Sequence, residues 1–278
     1  MDFRTTSMYT LFNNYLNVSY KALVTMLMLL FVLSGCVSTE HASKYRYEPS
    51  TTAFEDVVDA QQRALENDKL LLVVLGAQWC HDSTGLAQRF ETKEMQSILM
   101  ASYETVFVDV GLLEDRRNIT QRFDYPTYYA TPTVMIVDPA TSSLLNRASM
   151  AMWGRADSVE LAQYVDYFSS FAGYTQAEKA PMIAWKPTPL EAQYNAQQAS
   201  RLQNAYDLLG PQLQRDINGA PPEGFYEFWQ ETRGYRTELQ STLEKRAANQ
   251  LENIDNGKAE AQAALALRHY HPFSWESK

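Results

Sequence analysis

Apolar and polar positions divide the chain into an opening apolar block, an alternating middle and a striped end. Residues 22–34, from Ala22 to Ser34, form the opening apolar run. Phe54, Val57, Val58, Ala64 and Leu65 then recur at helical spacing until Asn67-Asp68, which predicts a helix. Leu70 to Leu75 are continuously apolar, the pattern of a strand covered on both faces. A turn, Gly76-Ala77-Gln78-Trp79-Cys80-His81-Asp82-Ser83, leads into a helix predicted from about 82 to 101, and Thr105 to Val110 make a second strand. A polar helix containing Glu114, Arg116 and Arg117 precedes a third strand that begins directly after Pro132 and ends at Asp138. Residues 143–149 are expected to pair as a further strand, and Val159, Leu161, Val165 and Phe168 place a helix over 157–171. Strand and helix alternation that ends in a hairpin predicts an α/β fold, a mixed sheet flanked by helices.

Beyond Pro181 the pattern is helical. Thr188 caps a helix with Pro189 at its first position, and Leu202, Ala205, Tyr206 and Leu209 give it an apolar face up to Gly210-Pro211. A loop at 218–224 and the aromatic cluster Phe225, Tyr226, Phe228 and Trp229 follow. Tyr235, Leu239, Leu243, Ala247 and Leu251 then form one stripe of a helix reaching about Asn256-Gly257. Packing against the sheet domain, with the aromatics as anchors, is the ordinary reading of that stripe; a partner-binding surface is the alternative. The chain thus divides into 1–35, 36–51, a sheet domain over 52–172 and a C-terminal α-helical extension over 173–278.

With 278 residues, 45% hydrophobic and 21% charged, the composition excludes disordered and collagen-like classes. The net charge of −9, without a Lys/Arg-rich run, excludes a phosphate-backbone footprint, so no nucleic-acid partner is expected. The apolar run at 22–34 lies behind Arg4 and Lys21 and falls short of the roughly 18 residues of a spanning helix, which marks a signal-peptide core. It ends in Leu33-Ser34-Gly35-Cys36, which resembles the lipobox of bacterial lipoproteins. That resemblance implies that residues 1–35 are a signal peptide and that Cys36 becomes the lipidated N-terminus, carrying acyl chains such as palmitate. Residues 36–51, polar and Ser/Thr-rich, would be a tether. Val37 and Ser38 after the Cys imply sorting to the outer membrane, with the protein facing the periplasm and held by its lipid.

If Cys36 carries lipid, Cys80 is the remaining thiol and no intramolecular disulfide can form. Trp79-Cys80 follows the central strand, a helix begins at the Cys, and Thr131-Pro132 precedes the next strand. These two signatures make residues 52 to about 172 resemble the thioredoxin-like fold family. The segment Glu91 to Val110 further resembles its subgroup with a broken second helix. The resemblance implies a thiol at a helix N-terminus, where free N–H groups and the helix dipole favour thiolate, and a cis-proline at Pro132. It also implies that Trp79, Thr131 and Pro132 receive an extended substrate.

Three departures qualify it. Ser83 stands where the family has its second cysteine, so no resolving thiol is available and exchange would need an outside thiol such as glutathione. Val74 stands six residues before Cys80, where many members have a buried acid. The intervening pair is His81-Asp82; His81 as imidazolium and Ser83 as a hydroxyl donor would stabilise a Cys80 thiolate, while the charge on Asp82 opposes it. Asp82 and Ser83 are equally ordinary first-turn helix residues. The four histidines, His41, His81, His269 and His271, include no ligand cluster beyond the last two, so no metal and no bound cofactor is expected. Two functions from different classes fit: a monothiol thiol-disulfide exchange enzyme with Cys80, His81 and Ser83 as its catalytic set, acting on protein thiols or disulfides of the envelope, or a non-catalytic thioredoxin-fold lipoprotein that binds an envelope protein.

Overall fold

Three of the apolar runs pair side by side as their pattern predicts. The structure, a computed structural model, describes residues 45–255 and 268–276. The signal segment 1–35 and Cys36 lie outside the described residues. Strands β1 (Leu70–Gly76), β2 (Tyr103–Asp109), β3 (Thr133–Asp138) and β4 (Ser143–Leu144) form one sheet in the order β2-β1-β3-β4. β1 runs parallel to β2, with Leu72 opposite Thr105, and antiparallel to β3, with Val73 opposite Met135; β4 is antiparallel to β3.

β1 is apolar throughout because both of its faces are covered. Leu71, Val73 and Leu75 enter one core with Val108, Met135 and Val137, whereas Leu70, Leu72 and Val74 enter the other with Val134 and Ile136. Burying these six side chains is worth on the order of 10 kcal/mol before chain entropy is set against it. The first core is completed by helix α1 (Ala53–Glu66), through Val57, Ala60 and Ala64. The second is completed by α2 (His81–Phe90), α3 (Lys93–Ser102) and, after a short α4 (Arg117–Thr120), by α5 (Leu161–Ala172), whose Tyr164 and Phe168 pack on Phe90 and Trp153.

Four expectations change in the structure. The helix predicted over 82–101 is two helices, because Thr92 takes an extended conformation and its hydroxyl accepts from the Met95 N–H to start α3 afresh. The strand expected over 143–149 stops at Leu144. Beyond it one backbone bond remains, from Leu145 N–H to the Ile136 carbonyl, and the Asn146 amide then replaces backbone pairing, accepting from Ile136 N–H and donating to the Val134 carbonyl, both at 2.9 Å. The tether expected over 36–51 is packed from Tyr45 onward: Tyr45 and Tyr47 are buried, and both rings meet Phe107.

The fourth change concerns the extension, which comprises α6 (Gln176–Ala184), α7 (Pro189–Ile217) and α8 (Phe225–Asp255). α7 does not end at Gly210-Pro211 but runs seven residues past Gly210, because Gly210 lies directly on the Leu112 carbonyl and the face formed by Leu202, Ala205, Tyr206, Leu209 and Leu213 stays buried across it. Tertiary burial thus outweighs the roughly 3 kcal/mol that an interior proline costs a helix. The extension completes the first core: Tyr206 stacks on Tyr128 at 5.2 Å, and Tyr235 and Leu239 of α8 join the same cluster. Near the chain end Phe273 is buried, and the Arg201 guanidinium lies over its ring and pairs with Glu276 at 2.9 Å. Among the described residues no helix is long and apolar enough to cross a membrane.

Candidate active site around Cys80

Cys80 lies at the junction of β1 and α2. The strand ends at Gly76, where a side chain would collide with Ser83 Oγ and the Tyr47 ring, each 2.6 Å from a Cβ placed there. The turn closes with the Cys80 N–H on the Ala77 carbonyl (3.2 Å), and Cys80 becomes the N-cap of α2 in an extended conformation. Its thiol does not cap the helix. Sγ–H donates to the Thr131 carbonyl at 3.0 Å, and Thr131 Oγ1 donates to Sγ at 3.2 Å. The Thr131-Pro132 bond is cis, so Cys80 and Thr131, 51 residues apart in sequence, bring the two signatures together at one sulfur. Cys80 is 9% exposed and is the free cysteine among the described residues.

The neighbouring side chains divide into two groups. Ser83 is fully buried, and its hydroxyl oxygen accepts from the Ala77 N–H at 3.3 Å, fixing the turn that carries the thiol. Burial pushes the adjacent Tyr47 phenol well above its usual range. Trp79 donates its indole N–H to the Gly111 carbonyl at 2.6 Å and packs edge-on against Trp229 of the extension. His81, expected to assist the thiolate, lines the cleft beside it, is largely exposed, and pairs with the second group. Its Nδ1 is 2.8 Å from Asp157, which sits on the 3-10 stretch Met150–Ser158, and its Nε2 is 3.7 Å from Asp82.

Asp82 and Asp157 form a carboxyl pair. The Asp157 N–H also donates to Asp82 Oδ1, at 3.3 Å. Burial, reinforced by the hydrogen bond to Asp157, raises the Asp82 carboxyl to about 6. Asp157 is held low, at about 2, because it accepts from Asp82 and from His81. Charge on Asp157 also opposes charge on Asp82, which adds to the rise. Their ligand atoms and that of His81 lie within 4.8 Å of one another, making this trio the group among the described residues able to hold an ion. His269 and His271 are exposed, their rings 6.5 Å apart.

A cleft of about 260 Å³ opens beside the sulfur. One wall is Trp79, Cys80, Asp82, Thr131 and Gly154. The other comes from the extension: Leu213 and Ile217 of α7, and Phe225, Trp229, Arg233 and Arg236 of α8. Sequence reasoning found the thiol, its serine and the proline, but neither Asp157, which lies 75 residues from Asp82, nor the α8 wall. A helical stripe gives no sign of which surface it meets, and the only hint was the aromatic cluster that includes Trp229.

Residues 52–139 match the family model described as thioredoxin-like. Among solved structures, the disulphide isomerase from Xylella fastidiosa Temecula1 is similar, with 20% identity and a TM-score of 0.40 over 47% of this chain and 98% of that one. No curated protein matches the chain. The family match spans the strand, the thiol at the helix start and the cis-proline opposite it, so residues 52–139, about a third of the chain, are thioredoxin-like.

Proposed function

We propose that the protein is a monothiol thiol-disulfide exchange enzyme, anchored in the bacterial envelope by lipid on Cys36, that acts on protein disulfides through Cys80. The observation that carries the reading is the Cys80 sulfur held against cis-Thr131-Pro132 at the edge of an open cleft. In the first step the Cys80 thiolate attacks one sulfur of a substrate disulfide. A Cys80–substrate disulfide forms, the original S–S bond breaks, and the departing sulfur leaves as a thiolate that takes a proton from water or a nearby acid. The substrate sulfur that leaves is reduced and Cys80 is oxidised. Because Ser83 cannot attack, a thiolate from outside, either a second cysteine of the substrate or a small thiol such as glutathione, attacks the substrate sulfur and restores Cys80. Isomerisation results in the first case; in the second the substrate sulfur leaves as a glutathione mixed disulfide, and a second glutathione attacks its glutathione sulfur, releasing the reduced substrate thiol and glutathione disulfide.

The decisive test uses the full-length protein and a peptide disulfide. Wild-type protein should accumulate a mass equal to protein plus one peptide thiol, stable until an outside thiol is added, and Cys80→Ala should form none while retaining its circular dichroism. A Cys80→Ala protein that still exchanges, or a wild-type protein that forms no adduct, would reject the reading. Replacing Cys36 with Ser tests the anchor: the protein should move from the membrane pellet to the soluble envelope fraction.

The second reading, a non-catalytic binder of an envelope protein, is favoured by the same sulfur's 9% exposure and its two hydrogen bonds to Thr131. It expects partner capture to survive Cys80→Ala.

A further inference from the structure

The extension does more than cover the sheet, because α8 supplies the far wall of the Cys80 cleft. Arg233 and Arg236 are three residues apart and so share one face of that helix. Among the described residues neither has a carboxylate partner within ion-pair distance. Arg233 is exposed, and Arg236 is half-buried, 5.6 Å from the centre of the Trp229 ring and bonded to the Tyr206 hydroxyl.

The cleft's acids are differently placed. Asp216 accepts from the Tyr226 hydroxyl at 2.8 Å, and Asp82 is engaged with Asp157. The anions of the cleft are therefore satisfied within the protein, while the two arginines that line it, Arg233 exposed and Arg236 half-buried, have no ion-paired carboxylate among the described residues. A guanidinium so placed, over an apolar floor of Ile217, Phe225 and Trp229, is suited to fork onto a carboxylate. The cleft volume of about 260 Å³ is below that of a site enclosing a whole drug-sized molecule, roughly 300–1,000 Å³. It suits a side chain or two of a longer segment that continues beyond it.

We infer that α8 sets substrate choice: Arg233 and Arg236 hold a carboxylate side chain of an acidic peptide segment whose disulfide sulfur meets Cys80. This rests on the exchange reading above and adds to it the chemical class of substrate. The chemical step is unchanged, with Cys80 forming a disulfide to the peptide sulfur and the other sulfur leaving as thiolate.

Three peptides test it, each with one cysteine as its 2-pyridyl disulfide and flanked by Glu, Gln or Lys. Attack by Cys80 on the peptide sulfur releases pyridine-2-thione, read by absorbance, and mass spectrometry identifies the Cys80–peptide adduct. With rates normalised to the Gln-flanked peptide, the full-length protein should favour the Glu-flanked over the Lys-flanked peptide by about tenfold at low salt, and the preference should shrink as salt rises. Arg233→Glu should abolish or reverse it, and Arg233→Ala should fall between. Wild-type rates blind to flanking charge, or a preference that Arg233→Glu leaves intact, would overturn the inference while leaving exchange standing. Absence of thione from all three peptides would sink the exchange reading and this inference with it.

Discussion

At the residue scale the site's acid–base character has moved off the central strand. Val74 occupies the β1 position six residues before the thiol and is fully buried, whereas the carboxyl with a displaced titration is Asp82, in the first turn of α2. An aspartate in the unfolded chain titrates near 3.9, and in the fold burial holds Asp82 at about 6. Between those values the native state keeps a proton that the unfolded state releases. The carboxyl therefore costs nothing below about pH 4 and its full penalty is present above about pH 6. Asp82→Asn removes the ionisation and keeps a donor for Asp157, so the variant should gain about 1 kcal/mol on wild type between pH 4 and pH 7, discounted because the group is partly solvated. Urea unfolding at both pH values measures this; a stability difference that does not vary with pH would refute it. At this scale the sequence was legible wherever chemistry is local. Trp79-Cys80 and Thr131-Pro132 are short signatures whose residue types have few other uses, and they meet as expected. His81 lines the same cleft with its imidazole paired to Asp157 at 2.8 Å, and nothing within a few residues of His81 announces a carboxylate so far along the chain.

At the element scale, the cap at Thr188 was read from the sequence, whereas the cap at Thr92 and the continuation past Gly210 were not. Thr175 and Glu178, like Thr188 and Glu191, are S/T-x-x-E boxes that begin α6 and α7. The Gly210-Pro211 pair reads as a stop, yet α7 continues because Gly210 lets the helix touch the backbone of Leu112. Gly210→Ala should cost about 2–3 kcal/mol, since its methyl would meet a carbonyl oxygen held by the loop after β2 rather than a movable side chain. Thermal and urea unfolding would show it, and wild-type stability in that variant would mean that the close approach is not maintained in solution. β4 teaches the same lesson from the strand side. Residues 143–149 have a plausible pairing pattern, but one buried Asn146 side chain does the bonding for the missing strand, and no periodicity encodes that substitution.

At the scale of the whole molecule, the boundary drawn at 172 marks a change of pattern and not a change of folding unit. The apolar face of the sheet domain that carries Val108, Tyr128 and Met135 is completed by Leu202, Tyr206, Leu209 and Tyr235 of the extension, in one continuous core. Left without α7 and α8, that face would present its aromatics to water, and the Cys80 cleft would lose its second wall. Two separately stable parts would unfold separately; a shared core instead requires one cooperative event. Tyr206→Ala probes the shared core at its centre. The side chain is 1% exposed, stacks on Tyr128 and donates its hydroxyl to the Tyr128 carbonyl at 3.3 Å, so truncation removes a buried ring and leaves a cavity between the two parts. The cost should be about 3–5 kcal/mol. Tryptophan fluorescence, from five tryptophans that include the Trp79–Trp229 pair across the two parts, and far-ultraviolet circular dichroism, with its large contribution from the long helices α7 and α8, should then shift together to the same lower midpoint. Two separated transitions, or a loss of helix signal that leaves the fluorescence midpoint where it was, would show that the extension is a detachable domain and that the α8 wall is a loose cover over the thiol.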